Sequence, residues 1–151
     1  MNKESKVLVL WGKSNSGKTD TLVQLINLLI ENDCIFMEES KHFGTSADKW
    51  CIIQFMGKKI AITTRGDDWN CLNADFEEIN KYKIDIDIYI CATHEKGKTV
   101  DFVKSKFEKE NIYWIAKSRL SLGNEKRLNY GYYYTENKNQ AYGILSLLKK
   151  L

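Results

Sequence analysis

Proline is absent from this 151-residue chain, so its nine glycines are left to form the turns. None of its apolar stretches reaches the roughly 18 residues that a membrane-spanning helix needs. Its first residues contain no long apolar run of the kind that signal peptides carry, so we expect a cytoplasmic protein without a membrane partner. Hydrophobic residues make up 43% of the chain, which excludes a wholly disordered protein and predicts a single globular domain over residues 1–151.

Neither the cysteines nor the net charge indicates a function. The four cysteines, Cys34, Cys51, Cys71 and Cys91, form no Cys-x-x-Cys pair and match no zinc-binding spacing. Reduced thiols are therefore the expected state in a cytoplasmic protein. The chain has 23 basic and 20 acidic residues, and the net charge of +3 is too small to indicate nucleic-acid or lipid binding by itself.

Hydrophobic periodicity predicts an α/β protein with a mostly parallel sheet flanked by helices, because strand-like and helical segments alternate over most of the chain. The predicted strands cover residues 6–11, 34–39, 50–55, 59–64, 84–92, 111–116 and 130–135. The predicted helices cover residues 19–31, 70–82, 99–109 and 139–151. The third and fourth strands are joined so closely that an antiparallel hairpin is expected at residues 50–64.

The clearest chemical signal is an eight-residue segment between the first predicted strand and the first predicted helix. Its residues are Gly12, Lys13, Ser14, Asn15, Ser16, Gly17, Lys18 and Thr19, and they match the pattern Gly-x-x-x-x-Gly-Lys-Ser/Thr. The glycines let the backbone curl so that N–H groups point at a phosphate, and the following helix adds a partial positive charge. Lys18, which we expect to face solvent, can reach the β- and γ-phosphates, and the Thr19 hydroxyl can bind Mg²⁺.

With this segment the chain resembles the P-loop NTPase superfamily, whose Walker A loop has the same pattern. The resemblance implies a three-layer P-loop fold and the binding of a nucleotide with Mg²⁺. It does not choose among kinases, ATPases, GTPases and switches. The Asn-Lys-x-Asp motif that reads guanine has no counterpart, since residues 80–83 and 137–140 both lack its aspartate, and ATP is therefore favoured over GTP.

A carboxylate that assists the magnesium ion is expected at the C-terminal end of a neighbouring strand. Asp67 and Asp68 follow the strand predicted at residues 59–64, at the edge where a parallel sheet forms its ligand crevice. Asp85 and Asp87 stand near the start of a strand and are expected at the opposite edge. We predict that Asp67 assists the metal, and a plain Gly-Asp turn is the alternative.

Phosphoryl transfer also needs cations around the moving phosphate. The chain has three arginines, Arg65, Arg119 and Arg127. Arg65 precedes the candidate metal ligand, and Arg119 follows a predicted strand, where small kinases of this superfamily carry lid arginines. Arg65 and Arg119 are therefore candidate catalytic residues, with a solvated basic loop as the alternative for Arg119 and Arg127.

Three further segments leave alternatives open. His94 can contact a phosphate or substrate, or lie in a surface loop. The triplet Gly97-Lys98-Thr99 repeats part of the Walker A pattern, but Ala92 stands in place of the first glycine, so no second phosphate loop is predicted. The tyrosine-rich residues 130–134 lie near basic residues and can stack on nucleic-acid bases, although tyrosine is also an ordinary strand residue.

The sequence thus supports two functions. The first is a small ATP-dependent enzyme that transfers a phosphoryl group to a small-molecule or nucleotide acceptor, or hydrolyses ATP, with Lys18, Asp67, Arg65 and Arg119 as catalytic residues. The alternative is a nucleotide-dependent switch, in which ATP or GTP orders a loop such as residues 41–49 and a protein or nucleic-acid partner reads the change.

Overall fold

A computed structural model of the protein describes residues 4–37, 50–118 and 126–151, and within these ranges it has six strands and four helices. The strands are β1 (Lys6–Trp11), β2 (Ile35–Phe36), β3 (Trp50–Phe55), β4 (Lys58–Thr63), β5 (Ile88–Thr93) and β6 (Ile112–Ala116). The helices are α1 (Lys18–Glu31), α2 (Trp69–Lys81), α3 (Lys98–Lys106) and α4 (Lys126–Leu148). A short 3₁₀ helix, Lys109–Asn111, precedes β6. None of the helices in these ranges is both long and apolar enough to span a membrane.

The strands form one mixed sheet in the order β2-β3-β4-β5-β1-β6. Strands β4, β5, β1 and β6 pair in parallel, whereas β3 is antiparallel to both β2 and β4. The predicted hairpin at residues 50–64 is confirmed. Its turn residues, Met56 and Gly57, have φ values of 51° and 76°, as the tight turns that suit twisted hairpins require.

Helices cover both faces of the sheet, which gives three layers and confirms the predicted α/β class. Alternate residues of β1 point to opposite faces, as strand geometry dictates. Leu8 and Leu10 pack in a core with residues of α1 and α4, whereas Val7 and Val9 pack in a second core with residues of α2 and α3. Burial on both faces explains why β1 is a continuous apolar run rather than an alternating one.

The prediction of a strand at residues 130–135 was wrong, because these residues belong to α4. The helix predicted at residues 139–151 is the C-terminal part of the same element, which begins at Lys126. Ala141, Ile144 and Leu145 have helical spacing and are buried in the core shared with α1. The C-terminal part of α4 therefore packs against α1, and residues 130–135 continue the same helix despite the strand preference of tyrosine.

The fifth strand begins later than its apolar pattern indicates. Residues 84–92 were predicted as a strand, but β5 starts at Ile88, which pairs with Lys6 of β1 and Ile60 of β4. Just before it, the Asp87 backbone bonds to the backbones of Lys6 and Lys59, and the Asp87 carboxylate also accepts a hydrogen bond from the Lys59 backbone N–H, at 2.9 Å. Asp87 thus lies at the sheet edge opposite the strand ends, as expected.

The four cysteines are free thiols, and two of them belong to the cores. Cys51 and Cys91 are buried, whereas Cys34 and Cys71 are partly exposed. Burial raises the pKa of the Cys91 thiol to about 12, so this side chain stays protonated at neutral pH and serves as a small apolar residue.

Candidate functional site

The connection between β1 and α1 is a tight loop at the C-terminal ends of the parallel strands. Gly17, directly before α1, has φ 92°, a left-handed conformation that favours glycine. A side chain at Gly12 would bring its Cβ to 3.1 Å from the Cβ of Lys117 and 3.2 Å from the Ser16 hydroxyl oxygen. The structure therefore explains why glycine stands at both positions of the motif. Gly12 lets the loop pack closely against Lys117 and Ser16, and Gly17 lets the backbone turn into α1.

Lys18 is buried rather than solvent-facing, which corrects the expectation from the sequence. Only 4% of its surface is exposed. Its Nζ donates hydrogen bonds to the carbonyl oxygens of Gly12 and Lys13, both at 2.8 Å, and lies 3.2 Å from Oδ1 of Asp67. The loop therefore curls around the ammonium group of its own lysine and holds that charge at a fixed place.

The end of β4 supplies oxygen atoms beside the loop. The Thr19 hydroxyl donates to the backbone oxygen of Thr64 at 3.0 Å, which leaves its oxygen lone pairs available to a cation. Asp67, predicted to assist the metal, is the residue whose carboxylate reaches Lys18. Asp68 instead begins α2, where its Oδ1 accepts a hydrogen bond from the backbone N–H of Asn70 at 2.8 Å.

His94 holds the loop that carries Asp67. Its Nε2 lies 2.6 Å from the backbone oxygen of Asp67, and because a carbonyl only accepts, Nε2 carries the proton in this contact. The His94 backbone N–H donates to the Thr99 hydroxyl at 3.0 Å, which ties the same segment to α3. Sequence reasoning missed this contact, because nothing in the linear pattern joins residues that lie 27 positions apart.

Arg65 is bound to α2 and not to the loop Gly12–Thr19. Its guanidinium donates two hydrogen bonds to Asp75, the shorter from Nη2 to Oδ1 at 2.6 Å, and the Asp75 side chain is only 1% exposed. The hydrogen bond that Arg65 donates to the Asp75 carboxylate raises the pKa of Arg65 above its ordinary value. Arg65, a candidate catalytic cation from the sequence, therefore forms an ion pair with a buried carboxylate of α2.

We expect Arg65→Met to lower the free energy of unfolding by about 2 kcal/mol, because it leaves the buried Asp75 carboxylate without its cation. The expected loss is smaller than the loss on breaking a fully buried ion pair, because the Arg65 side chain is 32% exposed. Urea denaturation measures the loss, and the double variant Arg65→Met/Asp75→Leu should recover part of it. Unchanged stability combined with a large loss of nucleotide turnover would instead assign Arg65 to the phosphate.

A cavity of about 430 Å³ opens over the loop Gly12–Thr19. It brings together Asn15, Ser16, Gly17, Lys18 and Thr19 of the motif, with Asp67 on one side. Four residues that sequence reasoning did not select also line it: Asp20, Tyr133, Tyr134 and Asn137. The tyrosine-rich segment was noticed in the sequence, but only as a possible nucleic-acid contact.

Asp67 is shared with a second cavity of about 290 Å³ on its other side. His94, Lys98 and Thr99 line this cavity together with Asp68, Trp69 and Asn70. The second Gly-Lys-Thr triplet therefore contributes two residues to the wall beside the phosphate loop, although Lys98 is exposed and Lys18 is buried. A molecule in this second cavity would lie next to the carboxylate that contacts Lys18.

The C-terminal end of β6 fastens α4 behind the loop. The Gln140 side chain donates to the backbone oxygen of Ala116 at 2.6 Å and accepts from the backbone N–H of Ser118 at 3.1 Å. Lys117, whose side chain is fully buried, forms an ion pair with Glu136 at 3.4 Å. These contacts fix α4 relative to the strand ends.

Two predictions cannot be placed in the structure. Arg119, a candidate catalytic residue, and residues 41–49, the candidate switch loop, lie outside the described residues.

The protein oxygen atoms at the loop fit a magnesium ion better than a softer metal. Thr19 and Asp67 offer a hydroxyl and a carboxylate, and Mg²⁺ is usually bound by one or two such ligands together with phosphates and water. In the described part of the chain, no cluster of three or more His, Cys, Asp or Glu residues could hold a metal ion alone.

A scan of the chain against protein-family models found no matching family, and searches of curated proteins and of solved structures found no match either.

Proposed function

We propose that the protein binds ATP with Mg²⁺ at the loop Gly12–Thr19 and catalyses transfer of the γ-phosphoryl group, either to a small-molecule or nucleotide acceptor or to water. The observation that carries this proposal is the placement of Lys18. Its buried ammonium lies at the base of a cavity, between the carbonyls of its own loop and a carboxylate. A fixed cation beside the N-terminus of a helix is the arrangement that binds phosphate.

Each residue then has a distinct electrostatic role. Lys18 stabilises the charge on the β- and γ-phosphates, and the loop N–H groups donate to the same oxygens. Thr19 and Asp67 would hold the metal ion, which neutralises the charge that develops between the β- and γ-phosphates. The acceptor or water oxygen attacks the γ-phosphorus and passes its proton to solvent water, while the bond from that phosphorus to the bridging oxygen breaks and ADP leaves with the bonding electron pair.

The second cavity favours transfer to an acceptor over simple hydrolysis. It adjoins the phosphate-loop cavity at Asp67, so an acceptor bound there lies next to the expected γ-phosphate position. Lys98 lines its wall and can attract an acceptor that carries negative charge. Binding in a cavity that fixes both reactants supplies much of the rate enhancement in phosphoryl transfer.

Product analysis of the purified protein with Mg-ATP and a panel of hydroxyl-bearing acceptors tests this proposal. We expect ADP to form, with label from γ-³²P-ATP in an acceptor or in inorganic phosphate. Asp67→Asn should lower kcat about 10²-fold, because it removes the metal-assisting charge. Asp87→Asn at the opposite sheet edge is the matched control and should leave kcat unchanged. Absence of turnover with and without every acceptor, in a protein that does bind ATP, would contradict the catalytic role and favour the switch.

A further inference from the structure

One wall of the phosphate-loop cavity has no role in binding phosphate. It is formed by Tyr133, Tyr134 and Asn137 of α4, and we refer to these three residues as the α4 wall. Its members are uncharged, whereas the opposite side of the cavity carries Lys18 and the loop N–H groups. Spacing of three and four positions places Tyr133 and Tyr134 on the same side of the helix as Asn137. An aromatic, uncharged wall is poorly suited to a polyphosphate.

Asp20 stands between the phosphate loop and the α4 wall, and its orientation is fixed. Its Oδ2 accepts hydrogen bonds from the side-chain amides of Gln24, at 2.9 Å, and Asn137, at 2.8 Å. The Asp20 carboxylate is exposed at the cavity, where it repels phosphate and can accept a further hydrogen bond from an uncharged donor. Its second oxygen, Oδ1, has the geometry of an acceptor held in place by the two amides.

The α4 wall is held rigidly against α1. The Gln24 amide bridges the two helices, because it donates both to Asp20 and to the backbone oxygen of Tyr134, the latter at 3.2 Å. Asn137 is only 3% exposed, and its Oδ1 has no hydrogen-bond partner among the described residues. An ordered water or a ligand atom can supply the donor that this buried oxygen lacks. Asn137 is thus a positioning residue that holds Asp20.

Tyr134 is half exposed and Tyr133 is partly buried, so both rings form surface of the cavity. Aromatic rings beside a phosphate site bind the planar bases of nucleotides by stacking, and they do so with little preference among bases. The cavity volume of about 430 Å³ lies in the range of sites that enclose small ligands. The tyrosine run therefore has a use within the nucleotide site that does not require a nucleic acid.

We propose that the α4 wall and Asp20 form the nucleoside subsite of this protein: the base of the bound nucleoside triphosphate stacks on Tyr133 and Tyr134, and a ribose hydroxyl donates a hydrogen bond to Asp20. This inference rests on the proposed binding of nucleotide at the phosphate loop. It assigns the recognition of the nucleoside to α4 and to Asp20.

Isothermal titration calorimetry on the intact protein tests the subsite with three ligands, each with Mg²⁺: ATP, 2′,3′-dideoxy-ATP and inorganic tripolyphosphate. We expect ATP to bind about tenfold or more tightly than tripolyphosphate, because stacking adds to the phosphate contacts. Dideoxy-ATP should bind about fivefold more weakly than ATP, because it lacks the hydroxyls that donate to Asp20. This comparison needs no variant and so cannot be confused by misfolding.

Variants then locate the subsite. Tyr134→Leu and Tyr133→Leu should each lower the affinity for ATP about fivefold and leave the affinity for tripolyphosphate unchanged. Asp20→Ala should abolish the difference between ATP and dideoxy-ATP. Tyr142→Leu is the matched control, because Tyr142 is 47% exposed on the same helix and does not line the cavity. It should change neither affinity.

The outcomes separate this inference from the function on which it rests. If neither ATP nor tripolyphosphate binds, the phosphate loop itself is wrongly assigned and both proposals fail. If both bind equally well, the phosphate site stands and the nucleoside subsite is refuted. Tyrosine variants that weaken both ligands alike, or dideoxy-ATP that binds as tightly as ATP, would likewise overturn the subsite.

Discussion

Lys18→Ala is expected to remove nearly all nucleotide binding while leaving the protein folded. The ammonium is the one buried cation that the phosphate-loop cavity contains among the described residues, and it lies within hydrogen-bond reach of two loop carbonyls. Its loss should weaken Mg-ATP about 100-fold and lower kcat/KM about 10³-fold, as for other preorganised charges that stabilise a transition state. The carbonyl oxygens of Gly12 and Lys13 lose their Lys18 donor, which should cost the fold about 1–3 kcal/mol and leave it folded.

Thermal unfolding with and without Mg-ATP measures this effect directly. At a ligand concentration 100 times the wild-type dissociation constant, binding adds about 2.7 kcal/mol to the free energy of unfolding, and a 100-fold weaker variant gains only about 0.4 kcal/mol. Lys98→Ala provides a matched control, since it removes the lysine of the second Gly-Lys-Thr triplet at the start of α3. It should keep the full stabilisation. Equal stabilisation of the Lys18 variant and the wild type would contradict the assigned role.

Gly66→Ala is expected to destabilise the protein by about 3 kcal/mol or more, at the upper end of overpacking effects. Gly66 follows β4 and passes directly over the end of β5. A Cβ at this position would lie 2.1 Å from the backbone oxygen of Ala92 and 2.3 Å from its carbonyl carbon. Backbone atoms within a parallel ladder cannot move aside as a flexible side chain can. The loop would have to shift instead, and it would carry Asp67 away from Lys18.

Two measurements check the Gly66→Ala prediction: urea denaturation for stability, and phosphate release for the displaced Asp67. Gly143→Ala is the control, and its expected effect on the free energy of unfolding has the opposite sign. Gly143 lies in α4, and a Cβ there meets no atom within 4 Å. Alanine in a helix is about 0.5–1 kcal/mol more favourable than glycine, so this variant should be slightly more stable than the wild type. If the Gly66→Ala variant were as stable as the wild type, the loop after β4 would tolerate a side chain against Ala92, and the prediction would be wrong.

The loop Gly12–Thr19 could be predicted from the sequence as a phosphate-binding candidate because all the residues of its pattern are contiguous. Two glycines, a lysine and a threonine stand at fixed spacing between an apolar strand and an amphipathic helix. Asp67 could be placed beside it because parallel strands end at one edge of a sheet, and Asp67 follows one of them. The structure brings Asp67 to 3.2 Å from Lys18 even though β5 separates β4 from β1.

Other features depend on contacts between distant parts of the chain, which local patterns do not encode. The tyrosine-rich segment was predicted as a strand because tyrosine favours strands, yet it belongs to the long helix α4, whose C-terminal part packs in the core with α1. Arg65 was selected for its position before Asp67, but the acidic partner that binds it lies on α2, ten residues away. The bond from His94 to Asp67 likewise joins two loops that only the sheet brings together.

The central claim is that the loop Gly12–Thr19 holds the phosphates of a nucleotide, and calorimetric titration of Mg-ATP into the wild-type protein tests it most directly. We expect saturable heat with about one site per chain and a dissociation constant in the range of about 1 μM to 1 mM that nucleotide-using enzymes commonly show for their substrates. Repeating the titration with Lys18→Ala should remove the signal. Absence of heat from the wild type with Mg-ATP and with Mg-GTP at millimolar concentrations would contradict the claim.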